Sequence, residues 1–219
     1  PEQIRTLYLG LSSYLGTATE QNGGRGKLRE IKDTSAQGGR RVDSASALKW
    51  HNDRADVVGL LCVREPTSGG VSRLVSSIAI HNEMLQYKPD LLEVLFDDFE
   101  RYAPGDEVGR TAGTYSQPVF MSSPQGFSTR YSRTYIDQAA NLPDGKPLSC
   151  AQQAALNALV EVAEALSFDM RLKVGDIQYL NNHVILHGRT AFTDADADAG
   201  RLLYRVWLST AHGDGPWSA

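Results

Sequence analysis

The sequence predicts a mainly β protein with flanking helices, a sandwich or jelly-roll barrel. Three observations point there. Short strand-like segments dominate the last quarter, from Phe168 to Leu208, and the run VVGLLCV at Val57 to Val63 is continuously apolar and β-branched, as a buried strand requires. Helical periodicity is confined to a few segments, which leaves helices to pack outside the strands. At 219 residues and 23.9 kDa, one domain over 1–219 suffices to enclose a core.

In chain order, Ile4 to Leu15 is apolar enough for one packed element. Gly16 to Arg41, rich in Gly, Ser, Thr and charge, reads as a long loop, either a lid or a disordered connection. The strand at Val57 to Val63 meets turn residues at Pro66 to Gly70, and a second strand covers Ser72 to Ser76. Apolar residues then recur at the helical period in Ile78 to Leu85 and Pro89 to Phe96. From Tyr115 to Ile136, polar and aromatic alternation broken by Pro118, Pro124 and Gly126 suggests strands and hairpins. Leu148 to Leu166 is the clearest helix, with Ser149 as its cap and Leu156, Leu159, Val160, Ala163 and Leu166 on one face. Strands follow at Phe168 to Val174, Ile177 to Leu180, Val184 to His187 and Leu202 to Leu208, with a turn at Gly175-Asp176.

Composition narrows the function. A net charge of −4 with scattered Lys and Arg gives no footprint for nucleic acid. No apolar run reaches the ~20 residues that cross a bilayer, and no basic segment leads into an apolar signal core. The expectation is a cytoplasmic protein with a small-molecule partner, its oligomeric state unreadable. Two cysteines, Cys62 and Cys150, are too few for a disulfide framework and stand in no C-x-x-C pair. The sequence opens on Pro1 rather than Met, which leaves room for upstream residues.

The histidines carry the chemical signal. Two imidazoles and a carboxylate on one face suit a non-haem iron centre with open positions, and the sequence form is H-x-D/E plus a distant His. With 5 His and 26 acidic residues, chance alone supplies about 0.6 such pairs, so the motif by itself is weak. Two are present, His51-Asn52-Asp53 and His81-Asn82-Glu83. Residues i and i+2 point the same way in an extended chain but diverge by roughly 200° on a helix. His81 and Glu83 fall in a helical pattern and read as a solvated face, whereas His51 and Asp53 can converge. The third ligand comes from His183 or His187, between which spacing does not choose; His212 lies in a Gly-rich tail with nothing to hold it.

The segments LKWHNDRADVVGLLCVREPTSGGVSRLVSSIAIHNEML, GDIQYLNNHVILHGRTAF and RLLYRVWLS resemble the taurine catabolism dioxygenase family, TauD/TfdA, over roughly Leu48 to Ser209. The features that carry the resemblance are H-x-D at His51 to Asp53, P-x-S-G-G-x-S at Pro66 to Ser72, L-H-G-R at Leu186 to Arg189, and the paired Arg201 and Arg205. The resemblance implies a double-stranded β-helix with Fe(II) held by His51, Asp53 and His187, and with 2-oxoglutarate and O₂ as co-substrates. It assigns Arg205 and Ser72 to the far carboxylate of 2-oxoglutarate, a task that suits a planar guanidinium fork. It also suggests Arg201 for an acidic substrate and leaves His183 as a structural or substrate-facing neighbour. The implied reaction hydroxylates or desaturates a small, anionic or amino-acid-like substrate and releases succinate and CO₂. A carboxylate at Asp53 disfavours halogenation, because related halogenases leave that position vacant for chloride.

Each assignment has a plainer alternative. Arg205 lies in the apolar strand L-L-Y-R-V-W-L and needs an anionic partner, which an internal Asp or Glu could equally supply. Ser72 could cap a turn, and Arg201 could face solvent. A non-catalytic jelly-roll binding module and a zinc hydrolase with the same ligands are the competing functions. Only 50 residues precede His51, fewer than the family pattern leads one to expect, so part of the substrate side could lie upstream.

Overall fold

The computed structural model describes residues 2–21, 26–34, 44–105, 112–124, 126–195 and 199–210. The chain begins with α1 (Glu2–Ser12), then β1 (Thr17–Ala18), β2 (Leu28–Ile31), β3 (Leu48–His51), β4 (Val57–Arg64), β5 (Ser68–Gly69) and β6 (Ser72–Ser76). Helices α2 (Ser77–Tyr87) and α3 (Pro89–Val94) lead to two hairpins, β7 (Asp98–Ala103) with β8 (Gly113–Pro118), and β9 (Phe120–Ser123) with β10 (Gly126–Thr129). Then come α4 (Arg133–Ala140), α5 (Cys150–Leu166), β11 (Phe168–Met170), β12 (Ile177–Asn181), β13 (Ile185–Arg189), β14 (Phe192–Thr193) and β15 (Leu202–Ser209).

Two sheets make the barrel. In one, β15 and β12 flank β4, and β1 and β2 both pair with β15; in the other the order is β11-β6-β13-β3. All these pairings are antiparallel. Such alternation between two sheets is the double-stranded β-helix expected from the sequence. Nearly every residue of β15 is buried, so both of its faces are covered, which accounts for its almost continuous apolar run.

Alternation along β15 divides the molecule. Leu202, Tyr204, Val206 and Leu208 face outward and pack with Tyr8 of α1 and Leu61 of β4. Gly59 permits this contact, because a Cβ there would lie 2.6 Å from the Tyr8 hydroxyl and 2.8 Å from both Tyr179 and Val206 side chains. Leu203 faces inward with Ile31, Cys62 and Leu172, closing the barrel interior. Arg205 and Trp207 share this inward parity. The second sheet turns Trp50, Val75 and Leu186 away from the interior, into a core with Ile80 and Met84 of α2, Leu92 of α3 and Leu156 and Leu159 of α5. Helix α5 starts with a capping box, Ser149 and Gln152 each bonding the other's backbone N–H.

Three stretches differ from expectation. Within 16–41, β1 and β2 occupy part of the predicted loop; residues 22–25 and 35–43 lie outside the described set. In β2 the inward positions are Arg29 and Ile31, and a buried arginine conceals the alternation. β7 was concealed likewise, with Phe99 and Arg101 buried in D-F-E-R-Y-A. Lastly, α4 begins at Arg133, inside the span read as strands to Ile136.

Candidate metal centre

His51 ends β3, and its register partner across the sheet is His187 of β13. Directly opposed residues project to the same face, so both imidazoles enter the interior, with ring centroids 4.3 Å apart. Asp53 follows two residues later. Ligand atoms of His51, Asp53 and His187 all lie within 4.8 Å of one another, and no other group of three His, Cys, Asp or Glu among the described residues is so arranged.

Backbone ties hold the carboxylate in place. Asn182 accepts from the Asp53 N–H at 3.1 Å and donates to the carbonyls of Asp53 and Ala55. Asn52 points the other way, donating to the carbonyls of Asn182 and Ile185 and accepting from the Tyr131 N–H. The loop carrying Asp53 is thereby stitched to the turn before β13 and to the segment after β10. At His51, Nδ1 donates to the Lys49 carbonyl at 2.8 Å, because a carbonyl can only accept, and this leaves the Nε2 lone pair free.

The electrostatics favour a cation. Burial pushes the Asp53 carboxyl up, but Arg205, the two imidazoles and a hydrogen bond from Trp207 outweigh it and hold the group at about 2. Burial, with His51 and Arg205 nearby, holds the His187 imidazole at about 3, against a smaller opposing pull from Asp53. Two imidazoles and one ionised carboxylate is a donor set for a divalent transition metal with open positions. His187 Nε2 lies 4.0 Å from Asp53 Oδ2 and His51 Nε2 lies 4.0 Å from Oδ1, so both imidazoles turn a ring nitrogen toward the carboxylate.

Arg205 finds partners inside the protein. Its Nη1 donates to Asp53 Oδ2 at 3.1 Å, Nε donates to Gln21 Oε1 at 2.9 Å, and the guanidinium lies 4.5 Å from the Trp207 ring centroid. The anionic partner that its burial demands is therefore internal, and it is a member of the metal group itself. Trp207 Nε1 donates to the same Oδ2 at 2.8 Å. Gln21, fully buried, also donates to the carbonyls of Arg205 and Lys27.

Arg201 is 5 % exposed rather than solvated, and its Nη1 has no hydrogen-bond partner. Burial lowers its pKa to about 10, and that of Arg189 to about 10, with Arg201 close by as the second cause for Arg189. Both guanidiniums contact the Phe192 ring, at 5.2 and 4.5 Å from its centroid. Phe192 is held by pairing with Gly69, where φ is +74° and a Cβ would come 2.2 Å from the Ala191 carbonyl oxygen, so only glycine fits. Ser72 is buried on β6 opposite Arg189, one strand repeat from the Leu74–His187 pair and on the same face.

Other expected residues fall elsewhere. His183 Nε2 pairs with Asp56 at 2.9 Å, and Asp56 also accepts from the Thr210 N–H, so this histidine ties the turn before β13 to the start of β4. His81 packs edge-on to Phe96, Phe120 and Phe127 instead of lying in a solvated face, and it and Glu83 are outside the metal group. His212 lies outside the described residues. A cavity of about 820 Å³ lies behind the second sheet, lined by Trp50, Arg73, Arg133 and Glu164 among others, and none of the three grouped residues lines it. Two of its arginines are paired, Arg73 with Glu164 and Arg133 with Asp137, and the third, Arg189, donates to the carbonyls of Ser44 and Ser46.

Trp207, Gln21, Asn52 and Asn182 escaped the sequence reading. Only Trp207 left a signal, its even spacing from Arg205 on one strand.

A model of the taurine catabolism dioxygenase TauD, TfdA family matches residues 1–207, and the chain belongs to that family. FR-33289 synthase of Streptomyces rubellomurinus is 27% identical over 210 residues, which are 91% of this chain and 62% of that protein. Asparagine oxygenase, solved in complex with Fe(II), a hydroxyasparagine and succinate, superposes with a TM-score of 0.73 at 18% identity over 92% of this chain and 63% of that one. The non-heme iron oxygenase OrfP, in complex with Fe, succinate and a hydroxyarginine, gives 0.68 at 18% identity over 93% and 66%. The chain thus spans less than two thirds of the first two proteins.

Proposed function

We propose that the chain is the barrel of an Fe(II)- and 2-oxoglutarate-dependent dioxygenase, with His51, Asp53 and His187 as the metal ligands. The observation that carries this is the convergence of two imidazoles and an ionised carboxylate within 4.8 Å, beside buried guanidinium groups. Iron bound there would supply the activation of O₂ coupled to oxidative decarboxylation of 2-oxoglutarate to succinate and CO₂. The protein's own residues orient the reactants and exclude water.

The far carboxylate of 2-oxoglutarate falls to Arg201, with Ser72 beside it, and not to Arg205. Arg205 is committed to Asp53, at the metal itself, whereas Arg201 keeps an unpartnered Nη1. Ser72 and Arg189 lie one strand repeat, about 7 Å, from the His187 level, a distance suited to a five-carbon diacid anchored at the metal. The mutual proximity of Arg201 and Arg189 further favours an anion between them.

The substrate is a small molecule with an acidic group. Arg205 Nη2, buried and unpartnered, supports this, since a guanidinium N–H beside the metal can donate to one more oxygen. Hydroxylation of an amino-acid-like compound fits, asparagine oxygenase and OrfP having been solved with hydroxylated amino acids. His183, occupied by Asp56, drops out as a substrate contact.

The test is O₂-dependent formation of succinate from 2-oxoglutarate with added Fe(II). Succinate from the wild type and none from His187→Ala supports the reading. Succinate formed equally by both proteins, or by neither, would remove it.

A further inference from the structure

Oδ2 of Asp53 is already the acceptor of two hydrogen bonds, from Trp207 Nε1 at 2.8 Å and Arg205 Nη1 at 3.1 Å. Each oxygen lies 4.0 Å from one imidazole, Oδ1 from His51 Nε2 and Oδ2 from His187 Nε2, but Oδ1 receives neither hydrogen bond. Arg205 is in turn gripped on both sides by one residue: its Nε donates to Gln21 Oε1 at 2.9 Å, and its carbonyl accepts from Gln21 Nε2 at 2.9 Å. Gln21 is fully buried and also bonds the Lys27 carbonyl, so its amide has a fixed orientation. A guanidinium held this way has one direction in which to present Nη1.

We infer that Trp207 and Gln21 are positioning residues for the metal-binding carboxylate. Trp207 acts on Oδ2 directly and Gln21 acts through Arg205, so that Asp53 meets the metal through Oδ1 alone. The inference rests on the proposed metal site and adds to it a reason for the coordination mode. A carboxylate with both oxygens free can swing to chelate a cation with the pair, closing a position that the co-substrates need; one with Oδ2 engaged twice cannot do so without breaking charge-assisted hydrogen bonds. The segment after β1 thereby becomes part of the site, since Gln21 reaches it from 184 residues away in sequence.

The experiment is a titration with Co(II) alone, followed by its visible ligand-field absorption, which reports coordination as well as occupancy. Wild type, Trp207→Phe and Gln21→Leu are compared in two backgrounds, Asp53 intact and Asp53→Ala, with circular dichroism confirming the fold. His51→Ala is the control for the site itself: if it binds Co(II) as the wild type does, the metal site is misplaced and the inference falls with it. With the site established, Trp207→Phe and Gln21→Leu should each weaken Co(II) binding about 10-fold or more and change the band shape when Asp53 is present. In the Asp53→Ala background neither should have any further effect. Equal losses in both backgrounds would make the two residues merely structural, and unchanged affinity and spectrum with Asp53 present would overturn the inference outright.

Discussion

Arg201 and Arg205 lie four residues apart and enter the same interior, yet their surroundings give them different work. Arg205 shares Oδ2 of Asp53 with Trp207, while Arg201 leaves Nη1 unpartnered near Arg189. Removing a buried charge-assisted pair costs on the order of 2–5 kcal/mol, so Arg201→Ala should raise the 2-oxoglutarate dissociation constant roughly 30-fold or more. Arg201→Lys should recover only part of this, because an ammonium cannot supply two parallel hydrogen bonds. Calorimetric titration of the metal-loaded, oxygen-free variants checks it, and unchanged affinity would remove Arg201 from the site. His187 supplies a pH dependence. Folded, its imidazole protonates only near 3, against 6.5 when free, so the unfolded chain binds more protons between those values. The metal-free protein should therefore lose stability as pH falls from 6.5 toward 3. The urea midpoint should drop more between pH 7 and 5 for the wild type than for His187→Gln; equal drops would contradict the burial of a neutral imidazole. His51 and Asp53 are legible from residue order, because they need only period-two geometry to converge, whereas the choice of His187 over His183 rests on the family resemblance. The partner of Arg205 is not legible, since it lies 152 residues away and no local pattern encodes the contact. Trp207 in an apolar strand reads as core until its indole N–H is seen on a carboxylate.

At the level of elements, α1 is seated through a missing side chain. Gly59 leaves room for Tyr8, Tyr179 and Val206, all within 2.8 Å of where a Cβ would stand. Gly59→Ala should destabilise the protein by about 1–3 kcal/mol through overpacking, read as a lower urea midpoint; an unchanged midpoint would mean that α1 shifts freely on β4. Ser149→Ala removes one half of the capping box and should cost about 1 kcal/mol, provided α5 carries the second sheet's core as its contacts with Leu156 and Leu159 indicate. That helix was legible because cap and apolar face agree within one segment. β2 and β7 were not, since each turns an arginine inward, Arg29 and Arg101, where a strand pattern calls for an apolar residue. Such inversions are settled by what the opposite sheet or neighbouring backbone offers; Arg101, for example, donates to the carbonyls of Gln117, Pro118 and Arg130.

For the molecule as a whole, both sheets are needed for the site. β3 and β13 bring the imidazoles, the turn before β4 brings Asp53, and β15 brings Arg205 and Trp207. These residues all belong to the described barrel, although the chain spans only 62% of the length of FR-33289 synthase and 63% of asparagine oxygenase. Metal and 2-oxoglutarate binding therefore test the chain as it stands, independently of the substrate. The most direct measurement is an oxygen-free titration of the Fe(II)-loaded protein with 2-oxoglutarate, following the visible metal-to-ligand charge-transfer absorption that chelation through the keto group produces. The band should grow to saturation in the wild type and be absent from His187→Ala loaded under the same conditions. A wild-type protein that binds Fe(II) but develops no such band would contradict the assignment of this barrel as a 2-oxoglutarate oxygenase.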